Sequence, residues 1–184
     1  MTEDKAVQRR SIYRGKIVDL GLEALELPNG ESVELEIVRH PGGAAAVALD
    51  DQDRVCLLRQ YRHAAGGCLW ELPAGKLEPG ETAFGTAQRE LAEEAGVEAG
   101  DWTELGPMHS SPGILTEVIQ LYLACNLRPA AQSHETHEII EIHWIGRTQA
   151  LHWCLDGTIT DAKTLVGLFR AEALRKKKTR LERE

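Results

Sequence analysis

Between residues 33 and 38, Val33, Leu35 and Ile37 alternate with Glu34, Glu36 and Val38, the period-two pattern of a half-exposed strand. Ile12, Arg14, Lys16 and Val18 flank Gly15, and the stretch from Leu22 to Leu27 leads into a turn at Pro28-Asn29-Gly30, so residues 11–40 read as short antiparallel strands. Two further strands are predicted at 44–49 and 54–61, joined by the acidic turn Asp50-Asp51-Gln52-Asp53. Residues 66–80 carry Gly66, Gly67, Pro73, Gly75, Pro79 and Gly80 and are expected to be too broken for a regular element. From Thr82 to Ala95 the period becomes helical. Phe84, Ala87, Leu91 and Ala95 fall within about 80° of one another on the wheel, and Gly96 stands where a C′ glycine ends a helix. Strands at 117–124 and 139–145 and helices at 147–155 and 162–175 complete the reading. This order predicts an α/β sandwich around a mixed sheet.

At 184 residues and 20.3 kDa the chain suits one domain, or one domain plus a short appendage. Surface scaling buries about 70 % of the unfolded chain's area, enough for a core without staples. The net charge of -8 argues against a nucleic-acid partner, because a polyanion is repelled. The basic run Arg175-Lys176-Lys177-Lys178 with Arg180 reads as a solvated helix end. Cys56, Cys68, Cys125 and Cys154 contain no C-x-x-C pair; Cys56 and Cys125 sit in apolar runs and read as small core residues. No apolar leader follows Met1 and no stretch reaches 18 apolar residues, so neither a membrane span nor membrane binding is expected. A reducing, cytoplasmic location is the expectation.

The candidate chemistry lies between Gly75 and Val97. Glu90, Glu93 and Glu94 are related by three and four residues, so their carboxylates share one helical stripe. That stripe is offset by about 110° from the apolar one, so the helix can bury one side and offer carboxylates on another. Like charges on adjacent turns repel by a few tenths of a kcal/mol per pair, roughly. A hard divalent cation turns that liability into a site, since Mg²⁺ is usually held by one or two carboxylates plus substrate phosphates. Arg89, four residues before Glu93, can steady it by an ion pair.

Gly75, Glu81, Arg89, Glu90, Leu91, Glu93, Glu94, Gly96 and Val97 together satisfy G-x5-E-x7-R-E-U-x-E-E-x-G-U, with U aliphatic. The chain thus resembles the Nudix hydrolases. Gln60-Tyr61-Arg62, Trp70-Glu71-Leu72-Pro73-Ala74-Gly75, Pro112 placed 15 residues after Val97, and residues 157–165 resemble the ADP-ribose pyrophosphatase branch. The resemblance implies a Nudix-type α/β/α sandwich with a mixed sheet over residues 44–184, preceded by antiparallel strands in 1–43 that exchange across a homodimer. It also implies hydrolysis of a nucleoside diphosphate linked to a further group, with Mg²⁺ or Mn²⁺ as cofactor. ADP-ribose is the favoured substrate. A GDP-mannose-type sugar pyrophosphatase is the alternative within the class, and a non-catalytic nucleotide-sensing module the alternative outside it.

Carried over position by position, Glu90 and Glu94 are metal ligands, the Ala74 carbonyl contributes, and Glu93 assists; Glu93 and Glu94 are base candidates. Glu138 matches a loop glutamate that activates water or binds metal, and it is counted here as both catalytic and metal-binding. Thr136 replaces an acid found in some relatives, with Glu135 adjacent, while His134 and His137 read as surface or substrate-facing residues. Gly75, Glu81, Arg89 and Gly96 are structural within the motif. Arg39, Arg62, Glu71 and Pro112 are the substrate-binding candidates. Tyr13, Trp70 and Trp102 are open to two readings, base stacking or core packing.

Overall fold

A computed structural model of the chain describes residues 7–133 and 139–181. The chain divides into two compact units, one running through Gly42 and taking in His109–Val118, the other formed by Gly43–Met108 and the residues from Ile119 onward.

In the first unit, β1 (Gln8–Arg14), β2 (Asp19–Glu26) and β3 (Ser32–Arg39) form an antiparallel sheet in that order. The β2–β3 turn is built on Asn29 and Gly30, whose φ of 86° lies in the region only glycine enters without strain. Glu23, on β2, accepts from Arg9 and Arg39, which ties the two outer strands to the middle one. The turn at 111–115 hooks onto β3 through Val38 N–H donating to Ile114 O (2.7 Å) and Thr116 N–H donating to Val38 O (3.0 Å).

The second unit contains β4 (Gly43–Ala48), β5 (Arg54–Arg62), a 3₁₀ turn at His63–Ala65, β6 (Gly67–Glu71), β7 (Ala74–Lys76), α1 (Ala83–Ala95) and β8 (Val97–His109). It continues with β9 (Val118–Pro129), β10 (Ile140–Gly146), α2 (Arg147–Asp156) and α3 (Ala162–Leu181). One sheet has the order β7-β4-β9-β8, with β4 antiparallel to β7 and parallel to β9, and the other has the order β10-β5-β6. β4 is Gly-Ala-Ala-Ala-Val-Ala and buried throughout. Its alternation sends Ala45 and Val47 into a cluster with Leu121, Leu123, Ile159 and Leu168, and Ala46 and Ala48 into a second with Leu91, Ala95 and Ala124. Small side chains let a helix approach each face, α1 on one and α3 on the other. Each fully buried leucine, such as Leu57, Leu58, Leu91 or Leu121, contributes about 2 kcal/mol. The mixed sheet lies between helices, the α/β/α layering expected above. No helix among the described residues is long and apolar enough to cross a membrane.

Three expectations need correcting. Residues 66–80 are not wholly irregular: β6 pairs with β5 from Leu58↔Glu71 to Arg62↔Gly67, and β7 pairs with β4 from Gly43↔Lys76 to Ala45↔Ala74. Glycine and proline lower local strand propensity, but ladders supplied by buried neighbours override it. β8 spans 97–109, where no element was predicted; it is an edge strand beside β9, the position at which Gly100, Gly106 and Pro107 are tolerated. α3 runs past 175 to Leu181, because Lys and Arg are good helix formers. Cys56 is fully buried, whereas Cys125 is only partly so.

Candidate functional site

Helix α1 begins at Thr82, whose hydroxyl accepts from Gly85 N–H (3.1 Å), and ends at Gly96 (φ 66°), whose N–H donates to Ala92 O. Ala87, Leu91 and Ala95 are buried against the sheet, which turns the glutamate stripe toward β7. Glu94 is 3 % exposed, and its carboxylate accepts from the Ala74 backbone N–H at 2.8 Å. The Glu90 carboxyl occupies the space above Gly75: a Cβ there would stand 1.7 Å from Glu90 Oε1. Two carboxylates from successive turns of α1 therefore rest on consecutive residues of β7.

Arg89 organises this end of the helix. Its guanidinium donates to Glu81 (2.9 and 3.1 Å), Glu90 (2.8 Å) and Glu93 (3.0 Å). Glu81 also accepts from Thr86 Oγ1 (2.7 Å), locking the loop before the helix onto its first turn. The Arg89 hydrogen bond, reinforced by those from Thr86 and the Glu78 backbone, holds the Glu81 carboxyl down at about 2. Burial, with a smaller push from the Glu94 charge, raises the Cys56 thiol to about 12, so Cys56 is an inert core residue.

A second polar cluster is centred on Glu71, at the end of β6. Glu71 is 2 % exposed, receives a two-pronged bond from Arg62 (2.8 and 2.9 Å), and is also bonded by Lys163 Nζ. Burial opposes ionisation of Glu71, but the two cations outweigh it and hold the carboxyl below its usual range. Lys163 also lies 3.1 Å from Asp161, which precedes α3 and accepts from Thr164 N–H (3.0 Å) and Oγ1 (2.6 Å). The Thr164 hydroxyl in turn accepts from the buried Leu72 N–H (2.9 Å). The Arg62 side chain is 42 % exposed and feels the charges of Glu94 and Asp161. Glu71, predicted as a substrate contact, has both oxygens engaged internally. Lys163, Asp161 and Thr164 were not singled out as site residues, although the resemblance over 157–165 pointed to their segment.

The remaining candidates fall elsewhere. Arg39 and Pro112 belong to the first unit, Arg39 paired with Glu23 at 2.8 Å and Pro112 in the exposed turn at 111–115. Trp70 packs with Trp153 and His143, and Trp102 with Phe84 and Tyr122 while donating to Ala99 O. Tyr13 is exposed and lies over Gly15. Glu138, with His134, Glu135, Thr136 and His137, lies outside the described residues. The flanks of that segment are anchored, Ser133 N–H donating to Glu93 O (3.2 Å) and Ile139 O accepting from Tyr61 N–H (3.2 Å).

Among the described residues no three His, Cys, Asp or Glu side chains form a ready metal cage. A hard cation does not need one, since Mg²⁺ takes one or two carboxylates and completes its shell with water and phosphate. Glu90 and Glu94 fit that requirement: both are oxygen donors, and both are anchored at β7. The row Gly75–Ala44–Gln120 runs across three strands on the same sheet face, so Gln120 lies about 10 Å from Gly75. Its Oε1 is buried without a hydrogen-bond partner among the described residues. An acceptor left over in this way suits a donor brought in by a hydrated cation or substrate.

The NUDIX domain family profile matches residues 39–165. An ADP-ribose pyrophosphatase from Bacillus subtilis (strain 168) is 36 % identical over 164 residues, covering 88 % of this chain and 89 % of that protein. A methanol dehydrogenase activator from Bacillus methanolicus is also 36 % identical, covering 90 % of this chain and 91 % of its own. An ADP-ribose pyrophosphatase from Mycobacterium tuberculosis (strain ATCC 25618 / H37Rv) is 34 % identical, covering 92 % and 84 %. A crystal structure of an ADP compounds hydrolase superposes with a TM-score of 0.81 at 21 % identity, covering 94 % of this chain and 95 % of that one. At that identity the likeness concerns the fold.

Proposed function

The chain belongs to the Nudix hydrolase family, and from that premise we propose that it hydrolyses the diphosphate bond of ADP-ribose or a related nucleoside diphosphate sugar. The observation that carries this reading is the pair of carboxylates, Glu90 and Glu94, seated on Gly75 and Ala74. Relatives named ADP-ribose pyrophosphatase, at 34–36 % identity over most of the chain, support the choice of substrate.

A divalent cation, Mg²⁺ or Mn²⁺, would supply charge to offset the diphosphate and would lower the pKa of a bound water. Glu90 and Glu94 would hold that cation, and the Ala74 carbonyl is the further ligand that the resemblance implies. Glu93, partly exposed and steadied by Arg89, is in reach of solvent to take up a proton. Glu138 is the second base candidate, and the anchoring of its flanks at Glu93 and Tyr61 supports that assignment. Glu71 holds Arg62 so that the exposed edge of the guanidinium can clamp a phosphate. Arg39 and Pro112 belong to the substrate side of the proposal. Water adds to one phosphorus and the bridging P–O bond breaks, giving AMP and ribose 5-phosphate from ADP-ribose. Exposed Ile12, Tyr13, Ile17, Val18 and Leu35 on the first unit support a homodimer built through residues 1–43. A cytoplasmic location is part of the same reading, since widely spaced cysteines with no C-x-x-C pair suit a reducing compartment.

The test is a product assay with Mg²⁺ on ADP-ribose, GDP-mannose, NADH and a nucleoside triphosphate. AMP and ribose 5-phosphate from ADP-ribose, with slower turnover of the others, is the expected result. A preference for GDP-mannose overturns the substrate, and tight binding without turnover overturns the enzyme reading in favour of a sensor.

A companion prediction concerns Gly75. Gly75→Ala forces the Glu90 carboxyl aside, at small cost to folding because that carboxyl ends a flexible side chain. We expect kcat to fall about tenfold to a hundredfold while the melting temperature moves little. Unchanged kcat would show that the seat of Glu90 is immaterial.

A further inference from the structure

Lys163 lies on the first turn of α3, 92 residues from Glu71 in sequence, yet its Nζ bonds the same Glu71 oxygen that accepts from Arg62 Nη2. Its side chain is 12 % exposed against 42 % for Arg62, so of the two cations it is the inner one. We infer that Lys163 is a positioning residue for diphosphate binding: by sharing Glu71 with Arg62 it fixes the guanidinium fork and leaves Arg62 positive charge to spend on phosphate.

The argument is one of charge and geometry. Glu71 and Asp161 carry two negative charges, and Arg62 and Lys163 two positive ones. With Lys163 present, the Glu71 charge is divided between two cations. Without it, Glu71 neutralises Arg62 alone, and the cluster becomes net negative beside the Glu94 carboxylate. A diphosphate would then meet repulsion where it now meets a partly unspent arginine. Position is affected too. Lys163 is itself held by Asp161, which is locked to Thr164 and through it to Leu72, so Glu71 is braced from the α3 side while it grips Arg62. A planar fork binds phosphate well only when its orientation is held.

The inference rests on the diphosphate reading above, and the experiment separates the two. Steady-state kinetics with ADP-ribose and Mg²⁺ are measured for the wild type, Lys163→Met, Arg62→Ala and the double variant. Lys163→Met is expected to raise KM about tenfold with kcat within about twofold, the signature of lost binding common to ground and transition states. In the Arg62→Ala background the same substitution should have no further effect on KM, because its influence passes through Arg62. ADP binding measured by calorimetry on the same four proteins should follow the same non-additive pattern. Full additivity of the two substitutions, or an unchanged KM in folded Lys163→Met, overturns the inference. If Lys163→Met fails to melt cooperatively, Lys163→Gln is read by the same criteria, since it keeps a donor toward Glu71 and removes the charge. A wild type that turns over no diphosphate substrate overturns the proposed function instead, and the ADP-binding cycle still decides the role of Lys163.

Discussion

Glu94→Gln is expected to reduce metal-dependent kcat on the order of 10³-fold, the scale seen when one preorganised electrostatic group is removed from a reacting centre. Glu94 is buried, and its carboxylate stands against the Ala74 backbone with Glu90 seated next to it. A glutamine keeps the shape, and its carbonyl oxygen can still accept from Ala74 N–H, so the fold should survive with a loss of no more than about 1 kcal/mol. What disappears is the negative charge needed to hold a divalent cation. Measuring kcat across a Mg²⁺ titration alongside a thermal melt separates the two effects. Near-wild-type turnover in a folded protein would remove Glu94 from the ligand set, and a large loss of melting temperature would reassign it to a structural role.

Glu71→Ala should be the most damaging single change to stability among the polar residues described here. It leaves Lys163, nearly buried, without its main counter-charge and releases Arg62. Removing one partner of a buried pair costs about 3–5 kcal/mol. Because Arg62 is 42 % exposed and can turn to water, and Lys163 keeps Asp161, the lower figure applies. About 3 kcal/mol corresponds to a fall of roughly 6–12 °C in a domain of this size. The sign of the pH dependence follows from the depressed Glu71 carboxyl. Its contribution is present above the unfolded pKa of about 4.3 and is lost as pH falls through the lower folded value. Melts of wild type and Glu71→Ala should therefore converge as the solution is acidified below about pH 4. Melting temperatures that differ by under about 2 °C at neutral pH would mean that the cluster contributes little to stability.

The two predictions concern residues of different visibility. Glu94 could be read from sequence because what sets its face of the helix is local. The apolar stripe of Ala87, Leu91 and Ala95, the cap at Thr82 and the stop at Gly96 determine the helix, and helical spacing then puts Glu90, Glu93 and Glu94 on one side. Arg89 bonds Glu93 one turn away for the same reason. Even Gly75 was marked by its place in the motif. The close approach of Glu90 that demands it came only from three dimensions.

Glu71 was noticed through its neighbours in Trp70-Glu71-Leu72-Pro73, and its role was assigned to substrate contact. Its true partners lie nine residues back on a paired strand and 92 residues ahead on the first turn of another helix. No periodicity links such positions, so nothing local in the sequence ties Lys163 to Glu71. The strands β6, β7 and β8 escaped for a related reason. Their glycines and prolines give weak local signals, and their existence depends on hydrogen bonds offered by β4, β5 and β9. Residue spacing alone was enough to identify the family, helix α1 and the carboxylates proposed to bind metal, because helix period and capping act within a few residues. Which cations surround Glu71, where Glu90 and Glu94 are seated and which weak segments become strands emerge only in three dimensions. Those outcomes depend on burial and pairing between residues that the chain brings together only when it folds.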